Sequence, residues 1–454
     1  MSRTEVDEPR AGAEAARRSG PRLPRADRLA LAAGLVLVAT AMVVGRVLIV
    51  RGAELHTPSA PFFGHWEPHA SWSTPVAVVL AVAVVWKGHA VAARLPWRGL
   101  LWLSYAYGLV WAVALAVSRG WFRGLAGRLT PKPEYLTDVP DAPPFGVLLH
   151  DFVARIPGAA PDNWTTHVAG HPPGAFLVFV GLHRLGLGGP VWAGQLCLWV
   201  GLAAVPAVAV GVKAVAGEVW ARAALPFLVL FPGVVYVAVS ADGMFLAVTA
   251  WGLALLAVAG RESGARHDLL ALGGGLLLGL GLFLSYGFTL LVLPVLAVVA
   301  VRRRLRTPAV AALPVAGVTA AFGVSGFWWW DGYQALVPRY YAGYGGVRPY
   351  GYFVWADLAV LAALVGPATW VALRYALRGR APLGLRALVA SFLLVVLAAT
   401  LSGMSKGEVE RIWLPFAGWL VAACAALPAP YRRWALAGQA ATALAIEHLM
   451  ATHW

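Results

Sequence analysis

The chain has 454 residues, 60% of them hydrophobic and 13% charged, with a formal net charge of +15 at pH 7 and a mean hydropathy of +0.70. Soluble domains carry about 25% charged residues, so this composition excludes a large soluble domain and fits a polytopic membrane protein. The basic balance does not indicate nucleic acid. Arginines cluster between apolar runs (Arg302, Arg303, Arg304 and Arg306; Arg374, Arg378, Arg380 and Arg386; Arg432 and Arg433), where cytoplasmic loops are expected, and do not line one face.

Residues 1 to about 27, rich in Arg, Ala, Glu and Pro, read as a disordered cytoplasmic tail, and residues 28–454 as a transmembrane domain. The first apolar run, at about 29–50, is too long for a cleaved signal peptide, and its flanking arginines place the amino terminus inside. Further apolar runs lie at about 75–93, 99–118, 172–187, 190–212, 221–240, 241–259, 268–284, 287–301, 308–328, 352–373, 385–403, 412–428 and 432–450. A span needs about 20 apolar residues, so several are marginal, and about 11–14 spans are expected. With no alternating strand pattern, the fold class is all-α, a polytopic helical bundle. The runs around Ser285–Phe288 fit either two short spans or one broken helix. Counting sides from the amino terminus and backwards from the arginine loops gives answers one crossing apart between residues 172 and 213. One segment there is therefore expected to be re-entrant or too short to cross.

Three polar loops fall on the outer side in this scheme: 51–72, 119–170 and 329–351, with a shorter one from Ser402 to Arg411. Charged residues are expensive in so apolar a chain, and their concentration on one side marks that side as the expected site. In the 119–170 loop, KPEYLTDVPD carries Glu134, Asp138 and Asp141. A carboxylate at the membrane boundary can take a proton from an acceptor hydroxyl; the same acids can also be solvated turn residues. HVAGHPPG follows, with His167 and His171. Pro172 and Pro173 suit a first helical turn and set His171 at a helix mouth, where it either caps the helix or binds phosphate. SADGMF places Asp242 in a first helical turn, favoured there by the dipole and free to meet substrate or an arginine.

The aromatic loop FWWWDGYQALVPRYYAGYGGVRPYGYF reads as a membrane belt. Its Arg339 and Tyr340 are also binding candidates, for phosphate and sugar respectively. KGEVER supplies Lys406, Glu408, Glu410 and Arg411, and either basic residue can hold a lipid phosphate or snorkel. HWEPH (His65, Glu67, His69) lacks the spacing of a zinc site. Cys197 and Cys424 lie in apolar runs and read as packing residues. The nucleotide-binding and nucleophile-elbow motifs are absent.

Taken in order, these motifs resemble the GT-C superfamily of integral-membrane glycosyltransferases, and most of all its protein O-mannosyltransferase and aminoarabinose-transferase branch. Pro133-Glu134-Tyr135 is similar to an Asp-Glu-x-Tyr element, and His171-Pro172-Pro173 to the helix opening that follows it. PGVVYVAVSADGMF, GLLLGLGLFLSYGFTLLVLP and VERIWLPF are similar to later segments of that branch. The likeness covers a little over a third of the chain. It departs where Pro133 replaces the first acid of the pair, and where three spans precede the loop instead of one. The resemblance implies an extracytoplasmic active site in the plasma membrane, with a sugar carried on a polyprenyl phosphate as donor and a glycan, lipid or protein of the cell envelope as acceptor. Glu134 or Asp138 would be the base, with His167, His171, Asp242, Arg339, Tyr340, Lys406 and Arg411 contacting substrate. A divalent cation is an open possibility, and no other cofactor is implied. The rival readings are a transporter or flippase, which would want charge near the midplane and internal repeats, and a non-catalytic subunit of an envelope-assembly complex.

Overall fold

The computed structural model describes residues 23–452, and within them the chain is a bundle of helices. Residues 1–22 of the expected tail lie outside the described residues. The first helix, Arg25–Val50, begins inside the expected tail boundary, and Asp27 in its first turn is buried. Its carboxylate meets the Arg374 guanidinium and accepts from the Tyr375 hydroxyl at 2.7 Å.

Among the described residues, seven helices are long and apolar enough to cross a membrane, or eight if one bent pair counts as a span. The chain is thus an integral membrane protein, and the rest of its 14 apolar runs form helices that are shorter or less apolar than a full-length span. Prolines and glycines cut several runs into short helices, such as Pro173–Leu187, Tyr286–Arg302 and Leu414–Ala426. The bent pair, Tyr350–Val365 and Pro367–Arg380, turns by 96° at Gly366, whose φ of +75° favours glycine. A bend at membrane depth exposes backbone groups that lipid cannot satisfy. Gln439 satisfies them: its Oε1 accepts from Ala368 N at 3.2 Å and its Nε2 donates to Val365 O at 2.8 Å.

The polar segments sort to the two ends of the bundle. One end, the arginine face, gathers Arg222 with Glu218, Arg306 with Asp268 and Arg374 with Asp27. The other, the cap face, gathers residues 51–72, 119–170, 326–351 and 402–411. There Arg339 reaches across to Ile156 and Trp164, and Arg348 to Leu55 and Lys406. A two-stranded antiparallel sheet, Gly64–Trp66 with Met450–Thr452, closes one side of the cap. The cap has an apolar floor of its own, including Phe152, Ile156, Trp164 and Phe327, all 1% exposed or less. Each such side chain contributes about 1.5–3 kcal/mol by leaving water.

The crossing conflict resolves at Pro173–Leu187. This helix starts beneath the cap, and its far end remains there, because Arg184 donates to Pro143 O of the cap loop and packs on the Phe145 ring. The chain then returns to the arginine face through Pro190–Ala216. Ser285 and Tyr286 form a turn at the cap face, against Trp329 and Tyr333, so the flanking helices are two short passes.

Candidate active site

Local backbone pairing builds the site. The Pro131–Glu134 turn closes with Glu134 N on Pro131 O at 2.9 Å, and His167 N donates to Pro133 O at 3.0 Å. Pro133 therefore occupies a position whose carbonyl is used and whose missing N–H costs nothing. Farther along, Asp138 Oδ2 accepts from Thr165 N and Thr165 Oγ1, at 2.8 and 2.9 Å. These bonds lay residues 131–138 against 163–171 and swing Glu134 inward while Asp138 stays at the edge.

Glu134, His167, Asp242 and Arg411 are 6%, 7%, 4% and 5% exposed, which is unusual for ionisable groups unless they are paired. They are paired in a line. Glu134 Oε2 lies 2.9 Å from His167 Nδ1. His167 Nε2 lies 2.8 Å from Arg411 Nη2, and Arg411 Nη1 donates to Asp242 Oδ2 at 2.7 Å. Glu408 Oε2 stands 3.6 Å from Arg411, and its Oε1 accepts from Arg348 at 2.9 Å. Burial opposes charge on Arg411, but Asp242, Glu134 and Glu408 outweigh it and raise its pKa further. Burial would likewise raise Glu408, yet Arg348 and Arg411 hold it below the usual carboxylate range.

Two backbone devices hold Asp242 and Arg411 in place. Val239 has φ +99°, a left-handed conformation that costs a β-branched residue about 1–3 kcal/mol, and it redirects the chain into the next helix. Ser240 then caps that helix, its Oγ accepting from Gly243 N at 3.1 Å, and Asp242 follows in the first turn. On the other side, Gly407 and Glu408 have φ +77° and +61°, and the short helix Val409–Ile412 presents Arg411.

His171 and Arg411 both bond His167, one at its carbonyl and the other at its ring. His171 Nδ1 donates to His167 O at 2.9 Å, and its ring lies among Tyr135 and Phe245. Burial pushes the His171 pKa down to about 4 against the pull of Asp242, so at neutral pH it carries no charge for a phosphate. Tyr135 is buried, and burial, then Asp242, raises its hydroxyl well above the usual range. Glu410 is buried too: Oε1 accepts from Phe63 N at 2.5 Å, Oε2 has no hydrogen-bond partner among the described residues, and burial raises the carboxyl to about 7.

Of the sequence candidates, the structure brings together Glu134, His167, His171, Asp242 and Arg411. It keeps Asp138 and Arg339 out of this line. Arg339 clamps the cap through Ile156 O and Trp164 O, at 2.5 and 2.6 Å. Tyr340 accepts the Lys406 amide at 3.1 Å. The Lys406 ammonium lies over the Tyr341 ring and forms no salt bridge among the described residues. Sequence reasoning did not assign the Glu408–Arg348 pair or Tyr135 a place in the site. The Gly-Glu step in KGEVER was the available signal for Glu408. Glu67 and His69 pair with Arg119 and Ser118, and among the described residues no group of three His, Cys, Asp or Glu could hold a metal ion.

No family model matches the chain, and no curated protein matches it. Among solved structures, it is similar to the crystal structure of ArnT from Cupriavidus metallidurans in the apo state. That match has 16% identity and a TM-score of 0.39, covering 62% of this chain and 54% of that one. The chain thus spans little more than half the length of the structure it matches.

Proposed function

We propose that the chain is a GT-C-type glycosyltransferase that moves a hexosyl or pentosyl group from a polyprenyl phosphate to an envelope glycan, lipid or protein. The observation that carries this reading is a buried carboxylate, Glu134, held by the His167–Arg411–Asp242 line at the mouth of a Pro-Pro helix. The ordered resemblance of the flanking motifs to the O-mannosyltransferase and aminoarabinose-transferase branch supports it. The arginine clusters at the opposite end support a cytoplasmic amino terminus and an outer cap in the plasma membrane. Ionisable groups gather at the cap and not at mid-bundle, which favours chemistry there over transport.

In this reading Glu134 takes the proton of the acceptor hydroxyl as that oxygen attacks the anomeric carbon. The bond from the sugar to the phosphate oxygen breaks, and the polyprenyl phosphate leaves with the electron pair. Preorganised positive charge stabilises that departure. Arg411 already serves Asp242, so Lys406 is assigned to the leaving phosphate, while Arg411 and His167 hold the base. Tyr340 shapes the Lys406 segment.

The test is transfer from a panel of radiolabelled polyprenyl-phosphate hexoses and pentoses in membranes containing the wild-type chain or Glu134→Gln, with and without EDTA. Label entering an acceptor only with the wild type supports the reading, and the EDTA arm tests whether a divalent cation supplements Lys406. Equal incorporation in both membranes, with every donor, overturns it.

A further inference from the structure

A cavity of ≈ 620 Å³ opens between the cap segment 130–140 and the turn 183–190. Small-molecule sites occupy about 300–1,000 Å³, so it is of ligand size. Leu136, Thr137 and Val139 belong to one wall, and His183, Gly186 and Gly189 to the other. Thr137, His183 and both glycines are exposed, so a ligand can reach them. Arg184 ties the walls together at one side, bonded to Pro143 O and packed on the Phe145 ring. Gly186 and Gly189 have φ of +78° and +96°, which favours glycine, and a Cβ on either would meet nothing within 4 Å. That wall therefore offers bare backbone to open space.

The lining selects the chemistry of the occupant. None of the described residues lining the cavity is an acid, a lysine or an arginine. Thr137 and the His183 imidazole can each donate and accept, and Thr130, which donates to Gly127 O at 2.7 Å, can accept. A sugar hydroxyl also gives and takes, whereas a phosphate offers acceptors alone and favours cations. The apolar stretches, Leu136 and Val139 among them, suit the C–H faces of a sugar ring. A prenyl chain would leave the three polar groups against hydrocarbon, at a cost. An extended peptide pairs with a sheet edge, and these walls are a 3₁₀ turn, Tyr135–Thr137, and a glycine turn.

We infer that this cavity is the acceptor subsite and that the acceptor is a neutral glycan; the inference rests on the glycosyltransferase reading above. The buried charged line sets the side from which each substrate comes. Glu134 stands at one end of it. At the other, Arg348 holds Glu408 and donates to Lys406 O at 2.7 Å. The cavity lies at the Glu134 end: Thr137 N donates to Glu134 O at 3.3 Å, so base and wall share one turn and stand about 6 Å apart along its axis. Displacement at the anomeric carbon needs the attacking hydroxyl and the departing phosphate on opposite sides. A glycan in the cavity brings its hydroxyl to Glu134, which takes the proton. The new bond forms to the anomeric carbon, and the phosphate leaves toward Lys406 with the electron pair of the broken bond.

The test is saturation-transfer NMR on the full chain in nanodiscs, with mannotriose, arabinotriose and chitotriose as neutral probes and trigalacturonate as the anionic one. At least one neutral trisaccharide is expected to bind the wild type, with trigalacturonate clearly weaker. Thr137→Trp, which fills the cavity, should abolish that binding, and Thr137→Val, which loses only the hydroxyl, should weaken it about 5-fold. Thr137→Ser and His150→Ala, the latter on the exposed cap outside the cavity, should bind as the wild type does. Should Thr137→Trp fold poorly, His183→Leu removes the imidazole and is expected to bind several-fold more weakly. Absence of binding by every neutral probe, equal binding of trigalacturonate, or unchanged binding in Thr137→Trp or His183→Leu overturns the assignment. The two readings fail separately. Glycan binding in a chain that transfers no label overturns the catalytic reading and keeps the cavity as a glycan site, whereas Glu134-dependent transfer without glycan binding overturns this inference alone.

Discussion

Arg411 fixes the tautomer of His167. A guanidinium can only donate, so the Nη2 contact at 2.8 Å makes His167 Nε2 an acceptor and leaves the ring proton on Nδ1, facing Glu134 at 2.9 Å. Replacing Arg411 by Lys keeps the charge but removes the fork that reaches Asp242 and His167 together. Transfer activity is expected to fall about 10-fold or more in Arg411→Lys and further in Arg411→Ala. The alanine variant also strands Asp242, a loss that costs about 3–5 kcal/mol when a buried pair is broken. Thermal unfolding in detergent beside transfer assays checks both.

Glu134 and Asp138 are expected to separate on mutation. Glu134→Gln removes the proton acceptor at constant size, so turnover should drop at least ~100-fold with little change in unfolding temperature. Asp138→Asn touches only the Thr165 latch, so it should weaken the cap with turnover largely retained. Equal turnover losses in both variants would contradict the assignment of base to Glu134.

Lys406→Gln should raise the apparent KM for the polyprenyl-phosphate donor about 10-fold and leave acceptor KM unchanged. Lys406→Arg should restore most of the donor affinity. Initial-rate kinetics with each substrate varied in turn make the distinction.

Glu410 should make stability depend on pH. Its folded pKa, about 7, lies above the ordinary 4.5 because the site is buried. The protonated form is therefore favoured in the fold. Its contribution is complete below about 4.5 and is lost as pH rises through 7. Unfolding temperatures measured from pH 5 to 8 should decline over that window, and Glu410→Gln should flatten the decline.

How much of this was legible beforehand depended on how local each feature was. The apolar runs announced a helical bundle, and HPPG and SADG each announced a helix start, because caps and prolines act within a few residues. The choice between Glu134 and Asp138 was not legible. Both sit in the same polar stretch, and only the pairing of Pro133 with His167 and of Asp138 with Thr165 turns one inward. Arg339 has the chemistry of a phosphate ligand, but its donors are taken by cap carbonyls 183 and 175 residues away. The side count pointed to one non-crossing segment between residues 172 and 213, but hydropathy does not reveal that it is Pro173–Leu187 that stays beneath the cap.

The cap is stitched from pieces that ribosomes deliver far apart. Glu410 meets Phe63 across 347 residues, Arg348 meets Leu55 across 293, and Arg411 meets His167 across 244. Contacts of such separation close late, because the intervening chain must be in place before they can form. While residues 51–170 emerge, the acid and imidazole of the site wait without the guanidinium that orders them. A chain halted after its first dozen helices would be inserted and apolar, yet chemically mute. Assembly order thus ties the completed cluster to a late segment, because Arg411 follows His167 by 244 residues.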